Sequence, residues 1–418
     1  MTKFSKQIFS VLAAGVMVAN VATPALASTT IEISGNGAGS DNWSTVNQTS
    51  NTTVTQNNTA NVTNNVNADA KTGGNNANFN TGGDVTVNTG NAGVVADVTN
   101  VLNSNAANVS CCSTGNTNVN ISGNGAYSDN GVTLGQSTNT TVSQNNVANV
   151  TNNVNADAKT GGNDAYKNTG GDVTISTGKA LVDASVSTTA NMNVAHVGSA
   201  LGASNPSASF VISGNGAGSD NYITAELAKT TSVTQDNTAN VTNDVDADAS
   251  TGHNDAGFNT GGDQMIHTGD VAVIADVDNA VNFNAADVDC GCTWDVLAKI
   301  AGNGAEGSHN WWFDYPDNII DLTLDSTQAV GQGNVANLTN DLEDLDAKTG
   351  HNDLESNTAE VNGDPVISTG NAAVRTGVSN SGTVNTVGDL PFDMPEMPSN
   401  VEFSFNFAAF LAFFGMHN

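Results

Sequence analysis

The chain reads VTQNNTANVTNNVNADAKTGGNNANFNTGGDVTVNTG at residues 54–90, and this stretch decides the fold because it returns along the chain. Residues 142–178 read VSQNNVANVTNNVNADAKTGGNDAYKNTGGDVTISTG, and residues 233–269 read VTQDNTANVTNDVDADASTGHNDAGFNTGGDQMIHTG. A looser copy occupies residues 331–370. Recurrence at a fixed spacing is typical of repeat architectures. We therefore expect one unit of about 90 residues to be used four times.

Each copy opens with a glycine-rich phrase, ISGNGAGSDN in its first form, which starts at Ile33, Ile121, Ile212 and Ile300. A dinucleotide-binding loop needs Gly-x-Gly-x-x-Gly followed by a helix, whereas these glycines are evenly spaced and no helical pattern follows. A calcium loop or a tight turn is compatible with the phrase. We interpret it as a corner of the repeat.

Inside each copy the hydrophobic period is two. Ala60, Val62 and Val66 alternate with Asn61, Thr63 and Asn65, which places small aliphatic side chains on one strand face and polar ones on the other. Interiors of Ala and Val, together with Asn residues that can form ladders from coil to coil, suit a β-solenoid. The sequence therefore predicts an all-β chain, a β-solenoid or stacked β-repeat rod, with tandem β-sandwich-like domains as the alternative.

The ends of the chain differ from the repeats. Lys3 and Lys6, an apolar run and a small-residue site ending at Ala27 predict a signal peptide. The predicted organisation is a signal peptide (1–27), four β-repeats (28–120, 121–211, 212–299 and 300–387, the last with an aromatic insertion at 311–325), a Pro-rich linker (388–402) and a Phe-rich segment (403–418). We expect the mature chain to be secreted, at the cell surface or extracellular, and to lack a spanning segment.

Charge excludes one class of partner. Ten basic residues stand against 41 acidic ones, giving a formal charge of −31. Binding to nucleic acid needs clustered Lys and Arg, so no nucleic-acid partner is expected.

Calcium is the one cofactor that the sequence suggests. The glycine-rich phrase carries an aspartate in three copies, and residues 212–299 contain fourteen acidic residues against four in residues 33–120. Carboxylates two apart on one strand face repel each other unless a cation screens them. The candidate ligands are Asp41, Asp129, Asp220, Asp244, Asp246 and Asp248. Turn glycines and solvated aspartates explain the same pattern without an ion.

Four cysteines occur at equivalent places in the first and third copies: Cys111, Cys112, Cys290 and Cys292. In a secreted chain such cysteines usually oxidise, so we expect disulfides, either local or linking the two pairs. A zinc site formed by both pairs is the less favoured alternative.

No arrangement of a nucleophile with a base stands out among the scattered histidines, and an enzyme is not expected. Trp311 and Trp312 are compatible with a sugar-stacking loop, but a cover over the exposed end of a solenoid is the favoured interpretation. The Phe-rich segment is the expected assembly or attachment element, through Phe403, Phe405, Phe407, Phe410, Phe413 and Phe414.

Two segments resemble the curlin repeats of bacterial curli fibres. SNTTVTQNNTANV at residues 50–62 and STQAVGQGNVANL at residues 326–338 both keep a Ser, five residues and a Gln, followed by Asn-x-Ala. The wider pattern is similar to Asn/Thr/Gly-rich repeat surface proteins of bacteria. The curlin resemblance implies an extracellular, self-assembling β-solenoid subunit.

The sequence thus predicts a secreted, non-catalytic structural protein of the cell surface: a component of a fibre, a surface layer or an adhesion structure. Its expected partners are further copies of itself or other surface components. The alternative is a binding module, such as a calcium-dependent adhesin or an ice- or glycan-binding surface, which regular outward rows of Thr would favour.

Overall fold

The computed structural model describes residues 16–21, 28–110, 115–198, 207–289, 295–304, 318–358 and 364–388. Every regular element in these ranges is a strand, which confirms the all-β prediction. The strands are β1 (Val16–Val21), β2 (Thr29–Ser34), β3 (Asp41–Gly73), β4 (Val85–Asn88), β5 (Ala92–Ser110), β6 (Thr117–Ser122), β7 (Asp129–Gly161), β8 (Val173–Ser176), β9 (Ala180–Gly198), β10 (Ser207–Ser213), β11 (Asp220–Gly252), β12 (Gln264–His267), β13 (Val271–Asp289), β14 (Asp295–Ala301), β15 (Asn318–Asp341), β16 (Leu345–Gly350), β17 (Val366–Ser368) and β18 (Ala372–Val387).

The strands pair between copies and in parallel. The four sheets have the orders β2-β6-β10-β14, β3-β7-β11-β15, β4-β8-β12-β17 and β1-β5-β9-β13-β18, and β16 also pairs with β11. In register, Ile33 lies opposite Ile121, Ile121 opposite Ile212, and Ile212 opposite Ile300. Each repeat is therefore one coil of a stacked β-repeat, as predicted. We number the coils 1 (β2–β5), 2 (β6–β9), 3 (β10–β13) and 4 (β14–β18).

Each coil is flat and wide. Its longest strand has 33 residues in coils 1 to 3, a contour length of about 110 Å at the rise of an extended strand. The strands of the four coils span only about 14 Å along the stacking axis, at the usual strand spacing. The chain therefore presents two broad ends made of strand edges.

Much of the core lies between the long-strand sheet and the sheet that contains β5, β9 and β13. Val142 and Val233 of the first sheet cluster with Val109 and Val197 of the second. Side chains alternate along the strands, and inward ones are buried, as between Val150 and Ala158 of coil 2. Small aliphatic residues suit the close approach of these two layers. A further cluster with larger side chains, such as Leu134 and Phe210, lies between the first part of the long strands and the sheet of β2, β6 and β10.

The insertion of the fourth copy precedes its long strand. Asn318 lies opposite Asn221, and pairing continues without interruption from there to Asp341. The stretch 318–325 is therefore part of the repeat strand, and the additional residues that precede this strand belong to 305–317, outside the described residues.

The coil turns at a stacked glycine column. Gly161 has φ of 105°, and a Cβ atom there would lie 2.0 Å from the carbonyl oxygen of Gly252 in the next coil. Only glycine fits this conformation and this close approach. In the part of the chain that the structure describes, no helix is long and apolar enough to cross a membrane.

Candidate assembly surface

Amide side chains run through the core along the stacking axis. The central amide ladder comprises two facing columns, Asn58, Asn146, Asn237 and Asn334 on the long-strand sheet and Asn105, Asn193, Asn284 and Asn385 on the opposite sheet. Within a column, the Nδ2 atom of one Asn lies 3.0–3.1 Å from the Oδ1 atom of the next. Across the layers, the Nδ2 atoms of the long-strand column lie 2.7–2.8 Å from the Oδ1 atoms of the facing column. Because each amide both donates and accepts, a full column satisfies its members without water.

These buried amides were not singled out in the sequence, where Asn was assigned mainly to the outer face. The signal was present, since the period of two that places Ala60 inside also places Asn58 and Gln56 inside. The register locks the ladder, because a slip by one residue would bring outward side chains into the core.

The inward asparagine columns donate in one direction, towards coil 4. Asn75 donates to Asn163, Asn163 to Asn254, and Asn254 to Asn352, over 2.9–3.0 Å. The glutamine column that contains Gln144 donates in the opposite sense. At the coil 4 end, the Nδ2 atom of Asn352 is buried and has no hydrogen-bond partner. A further coil would supply the acceptor that this donor lacks.

Outward side chains of the long strands lean towards coil 4. The ring of Trp43 in coil 1 lies over Gly131 of coil 2, where a Cβ atom would come within 2.0 Å of it. Asn47 of β3 leans over Gly135 of coil 2 in the same sense, and beyond the end of β7 Tyr166 of coil 2 covers Gly257 of coil 3.

The two ends of the stack expose the core unequally. In one inward column, Val98 of coil 1 is 7% exposed, Val186 and Val277 are 0% and 1% exposed, and Val378 of coil 4 is 52% exposed. Inward side chains of coil 4 thus project from the stack, as Ile367 and Val374 also do. The coil 4 end is a strand edge with an open apolar core, which we call the projecting end; the coil 1 end is the receiving end.

The receiving end carries one further strand. β1 pairs in parallel with β5, with Val16 opposite Ser104 and Val21 opposite Val109. The edge of β5 therefore accepts a parallel strand from outside the four coils.

The candidate calcium ligands stack with their equivalents in neighbouring coils. Asp41, Asp129 and Asp220 lie in register with one another. Asp246 alternates with buried Val245 on β11, as predicted for carboxylates two apart.

Burial of Asp246, followed by the charges of Asp244, Asp344 and Asp341, raises its pKa. No three Asp, Glu, His or Cys side chains form a group that could hold a metal ion within the described ranges. Calcium binding at the six candidates stays a prediction.

One of the six candidates, Asp248, belongs to an acidic column that lysines neutralise. Asp69, Asp157, Asp248 and Asp346 lie in register. Lys71 contacts Asp69 at 2.6 Å, and Lys159 bridges Asp157 and Asp248 at 3.5 and 3.2 Å.

The lysines line a groove of about 860 Å³ at the glycine turn, with Lys348, His253 and His351. The two imidazole rings stack 4.8 Å apart. Mutual pairing explains these lysines without a ligand.

One half-buried carboxylate, on the outward face of β9, stands apart. Burial, reinforced by Asp97 and Asp276 and opposed by Arg375, raises the pKa of Asp183 to about 6. Its neighbours in register are Val95 and Ile274, so no adjacent coil supplies a matching polar group.

The outward face of the long strands is mixed. Apart from the glycine column at the turn, only the columns that begin at Asn61, Thr63 and Asp69 keep one residue type in all four coils. Outward Thr side chains therefore do not form adjacent regular rows, which an ice-binding surface would need.

Three sets of predicted residues lie outside the described residues. They are the candidate cysteines Cys111, Cys112, Cys290 and Cys292, the aromatic pair Trp311 and Trp312, and the six candidate phenylalanines.

No family model, curated protein or solved structure matches the chain.

Proposed function

We propose that this chain is a secreted, non-catalytic structural protein of the cell surface, whose copies stack end to end into a fibre. The open apolar core of the projecting end carries the proposal. Val378 is 52% exposed there, although the same position is buried in each of the three preceding coils. An apolar surface of this kind is normally covered by a partner.

A second copy is the partner that fits best. Its receiving end presents the same sequence of strands, so a copy added above coil 4 would extend all four sheets in parallel register. Asn75 of that copy would stand where Asn352 needs an acceptor. The segment 389–418 could follow one long strand at full extension, but not every strand edge of coil 4.

Charge favours the head-to-tail arrangement. Residues 33–120 carry a formal charge of −3, and residues 300–387 carry −11. When a projecting end stacks on a receiving end, a repeat with a charge of −11 meets one with a charge of −3. When two projecting ends meet, both repeats carry a charge of −11. Like charges repel. A fibre that alternates −11/−11 and −3/−3 contacts is repelled more on average than one in which every contact is −11/−3, so head-to-tail stacking is preferred in a fibre, and salt or calcium should assist it.

The leader-like segment 1–27 supports secretion, and the curlin resemblance at Gln56 and Asn58 supports a fibre. Both residues bond along the stack inside the core, where an added coil would continue their columns.

Negative-stain microscopy of residues 28–418 tests the function, with and without residues 403–418, in calcium and in chelator. We expect fibres of unit thickness that lengthen with protein concentration. Monodisperse short particles under every condition would refute self-assembly. Unchanged assembly after removal of the tail would remove the role expected for its phenylalanines.

A further inference from the structure

The β1 strand lies where a stacked neighbour would bind. It belongs to the apolar part of the predicted signal peptide, and it occupies six residues of the β5 edge, from Ser104 to Val109. This edge is on the receiving end of coil 1, so the contact exists only while the leader remains attached.

The register identifies the strand that β1 displaces. Asn105 begins the column that ends at Asn385 of β18. A second copy stacked below coil 1 would therefore place its Asn385 opposite Asn105, and in this chain Met17 stands opposite Asn105. We propose that β1 and the β18 strand of a second copy compete for the same β5 edge, so that the leader delays stacking until it is removed. The proposal rests on the proposed function.

The two competitors bring different chemistry to the edge. Asn385 carries an amide that can donate to Asn105 and so continue the central ladder. Met17 has no amide, and Asn20 is the only residue of β1 with a hydrogen-bonding side chain. The leader strand can therefore match the backbone of the edge but not the amide ladder of the core.

Covalent attachment compensates for this weaker match. β1 ends at Val21 and β2 begins at Thr29, so a short linker holds the leader strand at a high effective concentration beside its edge. Cleavage after Ala27 would cut that linker and leave a six-residue strand that must bind on its own. Short strands of this kind bind weakly, so a second copy would then take the edge.

The test compares the purified chains 1–418 and 28–418, released from denaturant at equal concentration, by light scattering and electron microscopy. We expect the lag before assembly to be about tenfold longer for 1–418, which corresponds to a net cost of about 1.4 kcal/mol for displacing the leader strand from its edge. Val18→Pro/Ala19→Pro in the 1–418 chain removes N–H donors from β1 and should restore the short lag.

The matched control is Ser10→Pro/Val11→Pro, which puts the same two prolines into the leader outside β1 and should leave the long lag unchanged. Equal lags for 1–418 and 28–418 would overturn the competition while leaving the proposed function intact. A long lag that survives Val18→Pro/Ala19→Pro would also overturn it, since the delay would not depend on strand pairing. Failure of 28–418 to assemble at all would instead refute the proposed function.

Discussion

Asn146 offers a direct measure of what the central amide ladder contributes to stability. It is fully buried in coil 2. Its oxygen accepts from Asn58 and Asn105 at 3.1 and 2.9 Å. Its Nδ2 group lies within 3.1 Å of the backbone oxygen of Met192 and the side-chain oxygen of Asn193, and it also reaches the next Asn of its column.

Asn146→Ala removes this hub and leaves its partners buried without it. A hydrogen bond is worth about 1 kcal/mol net, and leaving a buried partner unsatisfied costs more. Two N–H groups share three acceptors, so the loss corresponds to roughly four bonds. We expect the free energy of unfolding to fall by about 3–5 kcal/mol.

The control is Asn149→Ala, an outward residue of the same strand whose amide bonds Asn61 and Asn240 at 2.8 Å in a solvent-facing column. Water replaces those bonds, so the expected loss is below about 1 kcal/mol. Urea unfolding followed by circular dichroism should shift the midpoint by roughly 1 M for Asn146→Ala and only slightly for Asn149→Ala. Equal shifts for the two variants would refute the assignment of stability to the buried ladder.

Three further outcomes are expected. Val378→Lys places a charge on the projecting end and should abolish fibres in electron microscopy while leaving the circular dichroism spectrum intact; Val335→Lys, on the outward face of the same coil, should assemble normally. The raised pKa of Asp183, about 6 against an ordinary 3.8, means that its charged form destabilises the fold above about pH 6 and that this cost disappears as pH falls towards 3.8. Asp183→Asn should therefore raise the thermal midpoint most at about pH 7.5 and progressively less towards pH 4, and an equal gain at both pH values would contradict this. Gly161→Ala should prevent native folding because its Cβ meets the backbone of the next coil at 2.0 Å, whereas Gly93→Ala, with open space around it, should fold normally in the same spectroscopic assay.

The strand period and the repeat were predictable from sequence because both are local. A period of two around Ala60 and Val62 states which side chains share a face, and the return of the same letters 88 to 91 residues later states which residues stack. The repeat spacing therefore predicts that Ile33, Ile121 and Ile212 lie in register, and the structure confirms this. The buried position of Asn58 could have been predicted by extending the same period, but residue type argued against it, since asparagine is usually an exposed residue.

The exposure of the core at the two ends of the stack cannot be predicted from local patterns in this way. Val277 and Val378 have the same type and the same place in their repeats, yet one is 1% and the other 52% exposed. The difference arises because coil 4 has no described coil above it and its inward side chains project from the stack. Nor does any local pattern predict that β1 pairs with β5, since the two strands are distant in sequence and meet only at the edge of a folded coil.

The sequence by itself determined the class of object: a β-repeat of four coils with Ala and Val inside and an acidic surface. The tertiary structure decided that this object has a direction, with a projecting end, a receiving end and a leader strand on the latter. The physical reason is that period and register are properties of neighbouring residues, whereas an open edge exists only after all the coils have stacked and one coil is left without a neighbour.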